Sequence, residues 1–164
     1  MRGMNASSCA ALALLALCAL PAAGAGSNAL GTSASVVGTC KVTTPPGVLD
    51  FGNIDPSGTS NVTASITFGV KCTRLTVSTA ATDDGGLYLA GGVKRMRHST
   101  APTAFLPYSV AYVAAAFIGQ GFGPSAGAQT VTVNGTITPA QYQDALVTAA
   151  GQIYSDTVTI TVNP

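Results

Sequence analysis

The stretch Val62-Thr-Ala-Ser-Ile-Thr-Phe-Gly-Val-Lys-Cys72 carries the strongest structural signal in this chain. Its even positions are apolar and its odd positions are mostly polar or glycine, which is the period-two pattern of a half-buried β-strand. This alternation places Cys72 on the core face. Upstream, one face of another segment carries Val36, Gly38, Cys40 and Val42. Cys40 can therefore point into the same layer as Cys72.

Similar patterns recur along the rest of the chain. Near its end, Thr157, Thr159 and Thr161 alternate with Val158, Ile160 and Val162, and β-branched residues favour strands. Further strand candidates are residues 48–52, 75–80, 87–89, 106–113 and 130–137, with Gly- and Pro-rich turn signals between them. Residues 139–149 are expected to form a loop or one short helical turn. About six to eight short strands at this spacing predict an all-β sandwich.

The first residues are typical of a signal peptide rather than of a folded element. Arg2 gives a positive start, residues 10–20 are apolar, and Ala23-Gly24-Ala25 offers a small-residue cleavage site. The apolar run is much shorter than the ~20 residues that span a bilayer. We therefore expect cleavage after Ala25 and export. The chain then divides into a signal peptide (1–25), an N-terminal extension (26–39) and one domain (40–164).

The composition after residue 25 argues against one class of partner. Removing the leader from 164 residues leaves 139, enough for a single domain with a core. The remaining charges are six Asp, no Glu and six basic residues, namely Lys41, Lys71, Arg74, Lys94, Arg95 and Arg97. The resulting net charge of zero argues against nucleic acid, because phosphate-driven binding needs a positive excess.

Cys40 and Cys72 are the two cysteines that remain after residue 25, and an exported chain passes through an oxidising compartment. We expect a disulfide between them, across the sandwich, that stabilises the fold by roughly 3.5–4 kcal/mol. The alternative is half of a metal site. Two Cys and one His without any Glu cannot complete a zinc shell, so no metal and no other cofactor is expected.

The remaining polar motifs have simple structural interpretations. The basic cluster Lys94-Arg95-Met96-Arg97-His98 could bind an anionic polysaccharide, lipid headgroups or nucleic acid, but a solvated loop with dispensable cations is the simpler interpretation. Asp83-Asp84-Gly85-Gly86 fits a turn better than a calcium loop. A Ser-His-Asp arrangement would need His98, and no Gly-x-Ser-x-Gly elbow is present. No catalytic residue is predicted, and the protein is not expected to be an enzyme.

Several short motifs follow one another in a defined order. They are the strand that ends at Cys40, Leu49-Asp50-Phe51-Gly52, Cys72-Thr73, the basic stretch 91–96, Leu106-Pro107-Tyr108, Gly135-Thr136-Ile137 and the segment 151–157. This ordered set resembles the spore coat protein U domain family, which includes subunits of archaic chaperone–usher pili. The resemblance covers nearly the whole chain after the leader.

The resemblance implies an immunoglobulin-like β-sandwich that lacks its final strand and is completed by donor-strand exchange. In such pili a periplasmic chaperone first fills the open groove of a subunit. The N-terminal extension of the next subunit later replaces the chaperone, which is a form of β-augmentation. An unfilled groove beside an open strand edge would otherwise be an aggregation hazard.

Carried over to this sequence, the resemblance assigns two sets of residues. The donor segment would present one face formed by Leu30, Thr32, Ala34 and Val36. The acceptor groove, which also faces the chaperone, would lie along Val158, Ile160 and Val162. The alternative is that the residues before Cys40 form a disordered leader or an ordinary first strand of a complete sandwich.

The resemblance thus implies a structural subunit of a bacterial pilus or surface fibre that supports adhesion or biofilm formation. Such a subunit passes through the periplasm and ends at the cell surface. Its partners would be other copies or related subunits, a periplasmic chaperone and an outer-membrane usher. The alternative is a secreted coat or carbohydrate-binding protein with a closed sandwich that does not polymerise. An unpaired strand edge in the monomer would distinguish the two.

Overall fold

The computed structural model describes residues 29–78, 81–113 and 116–164. The expected signal peptide and its cleavage after Ala25 lie outside these residues. Residues 35–164 form one compact unit, and residues 29–34 belong to a separate one. Within the described ranges, no helix is long and apolar enough to cross a membrane.

A six-stranded antiparallel sheet is the main element of the fold. In spatial order it contains β1 (Cys40–Thr44), β2 (Val62–Cys72), β8 (Gln129–Ile137), β6 (Phe105–Val113), β5 (Lys94–His98) and β9 (Tyr154–Ser155). The longest pairing joins β2 to β8, from Val62 opposite Ile137 to Val70 opposite Gln129. Strand β1 is one edge of this sheet and β9 is the other.

One face of this sheet forms the core. Alternation in β2 and β8 places Phe68, Val70, Val131 and Val133 in a first buried cluster. At the other end of the sheet, a second cluster contains Leu106, Tyr108, Ile137 and Tyr142. The inner face is therefore mainly apolar, and it requires a covering layer.

Short elements cover part of this inner face. Strand β3 (Val77–Ser78) pairs with β7 (Phe117–Ile118), and β4 (Thr82–Asp83) pairs with β10 (Ile160–Thr161). Phe117 and Ile160 pack against the first cluster. Helix α1 (Pro139–Tyr142) covers the second cluster with its buried Tyr142. The predicted all-β, sandwich-like fold is confirmed.

The disulfide joins Cys40 of β1 to Cys72 of β2, and these residues lie directly opposite each other in the paired strands. Their Cα atoms are 4.1 Å apart. The expectation that the bridge crosses the sandwich was wrong, because both cysteines belong to one sheet. The bridge instead fixes the edge strand to its neighbour.

The strand predictions succeeded for the three longest strands, whereas only Ile160–Thr161 of the predicted strand 157–162 and only Val77–Ser78 of the predicted strand 75–80 form a strand in the described residues. Strand β2 has the predicted bounds, and β6 and β8 begin one residue earlier than predicted. Residues 48–52 and 87–89 form no strand, although both were expected to. Conversely, the basic cluster expected to be a loop is strand β5, which lies between β6 and β9.

Candidate functional site

An open apolar groove of about 900 Å³ lies on the inner face of the large sheet. Its floor is formed by inward side chains of four strands, including Ile66, Met96, Leu106, Val110 and Val133. One wall is the segment 46–54, and the other contains residues 145–148 and 152–158 with Ile160. Of these floor side chains, Ile66, Met96 and Val110 are partly exposed to the groove, whereas Leu106 and Val133 are buried.

The first wall is an extended segment that packs through side chains alone. Leu49 and Phe51 lie directly over Gly135 of β8, where an added Cβ would be 2.7 Å from Leu49 Cδ2 and 2.6 Å from the Phe51 ring. Phe51 also meets the Tyr108 ring edge-on, with the centroids 6.3 Å apart. Among the described residues, no backbone hydrogen bond joins 46–54 to another segment. This wall is thus a strand by pattern that lacks a main-chain partner.

The second wall contains the terminal segment, residues 156–162, which is paired along one edge. Asp84 N–H donates to the Thr159 carbonyl at 3.1 Å, and Leu87 N–H donates to the Thr157 carbonyl at 3.2 Å. In an antiparallel pair, main-chain groups of alternate residues point to opposite sides. The main-chain groups of Val158 and Ile160 therefore point away from residues 82–87.

This free edge faces the groove. Val158 and Ile160 line the groove, whereas residues 82–87 do not, so the groove lies on the unpaired side of the terminal segment. A row of open N–H and C=O groups beside exposed apolar side chains is the arrangement that accepts an added strand. The segment 46–54 forms the opposite bank; Gly52 N–H donates to the Asp50 side chain, and among the described residues no backbone hydrogen bond joins this bank to another segment.

Two aspartates hold the terminal segment in place. Asp156 accepts hydrogen bonds from Leu87 N–H at 2.9 Å and from the Tyr108 hydroxyl at 2.7 Å. In the reverse direction, Asp84 accepts from Thr159 N–H at 3.0 Å. Gly86 is required here because its φ is +85° and a Cβ would overlap the Asp156 carboxylate. The unpaired edge is therefore part of an anchored segment.

The carboxylate of Asp83 connects the turn at residues 83–86 to the main sheet. Asp83 forms an ion pair with Lys94 at 2.9 Å and accepts from the Tyr112 hydroxyl at 2.6 Å. Burial opposes ionisation of Asp83, but the hydrogen bonds from Tyr112, Lys94 and Gly85 together hold its pKa below the ordinary value. Burial and the bond to Asp83 raise the pKa of Tyr112. Tyr108 shows the same effect, because burial and its bond to Asp156 raise its pKa.

These contacts give the Asp83-Asp84-Gly85-Gly86 motif a structural role. Each aspartate also accepts a hydrogen bond from the N–H two residues later, Asp83 from Gly85 and Asp84 from Gly86. The backbone hydrogen bond from Gly86 is the main reason that the pKa of Asp84 is lowered. In the part of the chain that the structure describes, no group of three or more His, Cys, Asp or Glu residues could hold a metal ion.

His98, which was expected in a loop, is buried in β5. Its Nδ1 accepts hydrogen bonds from the N–H groups of Thr100 and Ala101, at 3.2 and 3.1 Å. Its ring meets that of Tyr154 edge-on at 5.0 Å. Both contacts fix the turn after β5 and the edge strand β9. Sequence reasoning missed this role because the two flanking arginines concealed the inward alternation of Met96 and His98.

The residues predicted for strand exchange are placed as follows. Leu30, Thr32, Ala34 and Val36 are all exposed and lie in no strand. Val158 and Ile160 line the groove, but Val162 packs against the first cluster and is not among the described lining residues. The opposite bank, Leu49 and Phe51, was recognised as a strand candidate and as one of the ordered motifs, but not as part of the groove. Its alternating pattern was the available signal for its place beside the groove.

The geometry defines a class of protein: an all-β domain with a disulfide in its main sheet and an apolar groove bordered by a free strand edge. The sequence model of the Spore Coat Protein U domain matches residues 27–161, and the chain belongs to this family. The resemblance seen in the sequence motifs is thereby confirmed. No curated protein matches the chain.

Proposed function

We propose that this protein is a structural subunit of a bacterial pilus or surface fibre, assembled by donor-strand complementation through a chaperone–usher pathway. In this proposal the groove first receives a strand of a periplasmic chaperone. It then receives the donor segment of a neighbouring copy or related subunit at the outer-membrane usher. The assembled fibre would support adhesion or biofilm formation at the cell surface.

The observation that carries the proposal is the groove between two banks, each of which has main-chain groups that pair with no other segment in the described part of the chain. A strand inserted there would hydrogen-bond to the free edge at Val158 and Ile160. Its alternate side chains would cover the apolar floor. The same observation disfavours a closed sandwich that never polymerises, since the monomer leaves this part of its core open.

The exposed donor segment supplies a strand of suitable length. The seven residues from Leu30 to Val36 would extend about 23 Å as a strand, and their apolar side chains have no cover in the monomer. Leu30 is 87% exposed and Val36 is 84% exposed. Thr32 and Ala34 complete the same face, whereas Gly31, Ser33 and Ser35 form the other.

We also propose that the protein is not an enzyme. The single His of the chain, His98, accepts two backbone N–H groups at Nδ1, and its buried Nε2 has no hydrogen-bond partner in the described part of the chain, so Nε2 is paired with neither a nucleophile nor a carboxylate. The two aspartates that line the groove, Asp50 and Asp156, are held by other groups: Asp50 accepts from Gly52 N–H, and Asp156 accepts from Leu87 N–H and the Tyr108 hydroxyl. These groups act as structural anchors.

The proposal is tested by adding the donor segment in trans as a peptide. A variant that lacks residues 26–36 should bind a peptide of residues 26–39, and its thermal midpoint should rise with peptide concentration. The same peptide carrying Ala34→Asp would bury an unpaired carboxylate, so its affinity should fall at least roughly 100-fold.

Ser35→Asp in the peptide is the matched control, because it adds the same charge on the opposite face. It should bind within about threefold of the unmodified peptide, as an exposed charge has little effect. Equal losses for the two aspartate peptides, or no rise in the midpoint with any peptide, would contradict strand complementation.

A further inference from the structure

Acidic and basic residues are segregated between the two layers of this fold. The six strands of the large sheet contain no Asp or Glu, yet they carry five of the six basic residues in the described part of the chain: Lys41, Lys71, Lys94, Arg95 and Arg97. All six aspartates lie in segments outside these strands. Lys94 points inward to Asp83, so the other four cations of the sheet lie on its outer face.

Arg95 and Arg97 form a fixed pair on this outer face. They are two residues apart on β5, about 6.6 Å along the strand, and point to the same side. The Arg95 guanidinium lies 4.3 Å from the centroid of the Phe105 ring, and that of Arg97 lies 4.6 Å from the centroid of Tyr88. Arg95 Nε also donates to the Tyr88 carbonyl at 2.9 Å.

Neither guanidinium has a carboxylate partner. The one ion pair in the described ranges joins Lys94 to Asp83. The bond from Arg95 uses only Nε, which leaves its two terminal amino groups available. Two planar cations, held by aromatic rings and unneutralised, are arranged to bind carboxylates in the two-pronged geometry that guanidinium groups favour.

Directly opposite Arg95 and Arg97, strand β6 carries Pro107 and Phe105, and neutral polar side chains follow farther across the same face. Ser109 of β6 lies opposite Thr136 of β8, and Thr136 lies opposite Thr63 of β2. One step along these strands, Ser65 donates to the side-chain oxygen of Asn134 at 2.9 Å. Beyond Pro107 and Phe105, the hydroxyl and amide groups on β6, β8 and β2 thus form an array two strand spacings, or ~10 Å, wide.

We propose that this outer face, centred on Arg95 and Arg97, is a binding surface for an acidic polysaccharide that carries uronate carboxylates. The guanidinium groups match the carboxylates, and the hydroxyl and amide array matches sugar hydroxyls. Nucleic acid fits less well because the formal net charge of the whole chain is only +1, too small for phosphate-driven affinity. This surface is on the opposite side of the sheet from the groove, and the inference does not depend on strand exchange.

Binding of polygalacturonate to the purified protein tests the inference directly. The wild type should bind polygalacturonate in about 0.1 M salt and should not bind its fully methyl-esterified form, which has the same backbone without the charges. Replacing both arginines with glutamine (Arg95→Gln with Arg97→Gln) should weaken binding at least roughly tenfold, because charge-assisted hydrogen bonds are lost.

The matched control is Lys41→Gln with Lys71→Gln, which removes the same charge from the same face. These lysines lie opposite each other on β1 and β2 and are remote from β5 in the sheet order. Affinity should change by less than about threefold, as screening limits the reach of exposed charges to about 10 Å. Equal losses in the two double variants would overturn the proposal in favour of a net-charge effect.

Two other outcomes would also overturn it. Tighter binding of a DNA duplex than of polygalacturonate would make the face a nucleic-acid surface. The wild type could instead fail to bind polygalacturonate while the double arginine variant has a lower mass by light scattering than the wild type. The outer face would then be a contact between copies of the chain, through exposed aspartates such as Asp50, Asp55 and Asp144. If the glutamine variant fails to fold, Arg95→Lys with Arg97→Lys replaces it. The lysine variant keeps the positive charges but lacks the planar guanidinium groups with their paired N–H donors. It should bind polygalacturonate more weakly than the wild type does.

Discussion

Lys94 has a different role in the structure from the one that its place in the sequence suggests. In the sequence it belongs to a run of cations that suggests a solvated loop. In the structure its ammonium group reaches the inner face, where it meets an Asp83 carboxylate that is only 8% exposed. Tyr112 and Gly85 donate to the same carboxylate, so the ion pair closes a network between β5, β6 and the turn after β4.

We predict that Lys94→Met destabilises the protein by roughly 3 kcal/mol, because it leaves a buried carboxylate without its charged partner. Arg97→Gln on the same strand is the control and should cost about 1 kcal/mol or less, since only an exposed ring contact is lost. Urea unfolding of the two variants measures the difference. A Lys94→Met protein as stable as the wild type would refute the buried role of this ion pair.

At the scale of elements, sequence alternation predicted the three longest strands of the main sheet, each of nine residues or more. Strands β2, β6 and β8 are long, alternate without interruption and lie inside the sheet. Strand β5 was missed because the Lys94 charge is neutralised by Asp83, a contact between two different elements that a local pattern does not contain. The bridge between Cys40 and Cys72 was predictable from parity and compartment, but its position within one sheet required the strand order.

The segment 48–52 is the informative exception. Its Leu49 and Phe51 alternate correctly and pack onto β8, yet it is no strand because no described segment pairs with its main chain. Local pattern predicts which side chains point inward, whereas a strand also needs a neighbour. The candidate site was therefore only partly predictable: Val158 and Ile160 were named from the sequence, and the opposite bank and the width of the opening were not.

We predict that Gly135→Ala displaces the segment 46–54 from the sheet and destabilises the protein by about 1–3 kcal/mol, since the added methyl would meet both Leu49 and Phe51. Gly47→Ala in the same segment has open space around its Cβ position and should stay within about 0.5 kcal/mol of wild type. Urea unfolding again gives the values. Equal stability of the two variants would mean that the first wall is not seated on Gly135.

At the scale of the whole molecule, the two faces of the large sheet have separate chemistry. The inner face holds an open groove bordered by the segment 46–54 and by the groove-facing edge of the terminal segment, and the outer face holds the cations that have no carboxylate partner among the described residues. Occupation of one face therefore leaves the other accessible. A fibre built through the groove would present the outer face of every subunit to its surroundings. Many weak contacts along one fibre would then bind much more tightly together than a single contact does.

Strand exchange between whole chains makes a specific prediction for a pair of complementary variants. A chain that lacks residues 26–36 keeps its groove but has no donor segment. A second chain, with residues 26–39 repeated after Pro164 through a flexible Gly/Ser linker, fills its own groove, because a tethered strand reaches an effective concentration in the millimolar range. That chain keeps its original donor segment, so it can donate but not accept.

Neither variant alone should form fibres, and an equimolar mixture should form one-to-one heterodimers that grow no further. Light scattering measures the mass, and adding either variant to wild-type chains should shorten fibres seen by electron microscopy. Ala34→Asp in the original donor segment of the second variant should abolish the heterodimer by placing an unpaired charge in the groove. Ser35→Asp there should leave the heterodimer intact. If the deleted variant forms fibres of normal length, or if every mixture contains only monomers, the strand-exchange hypothesis is wrong. The closed sandwich that does not polymerise then takes its place.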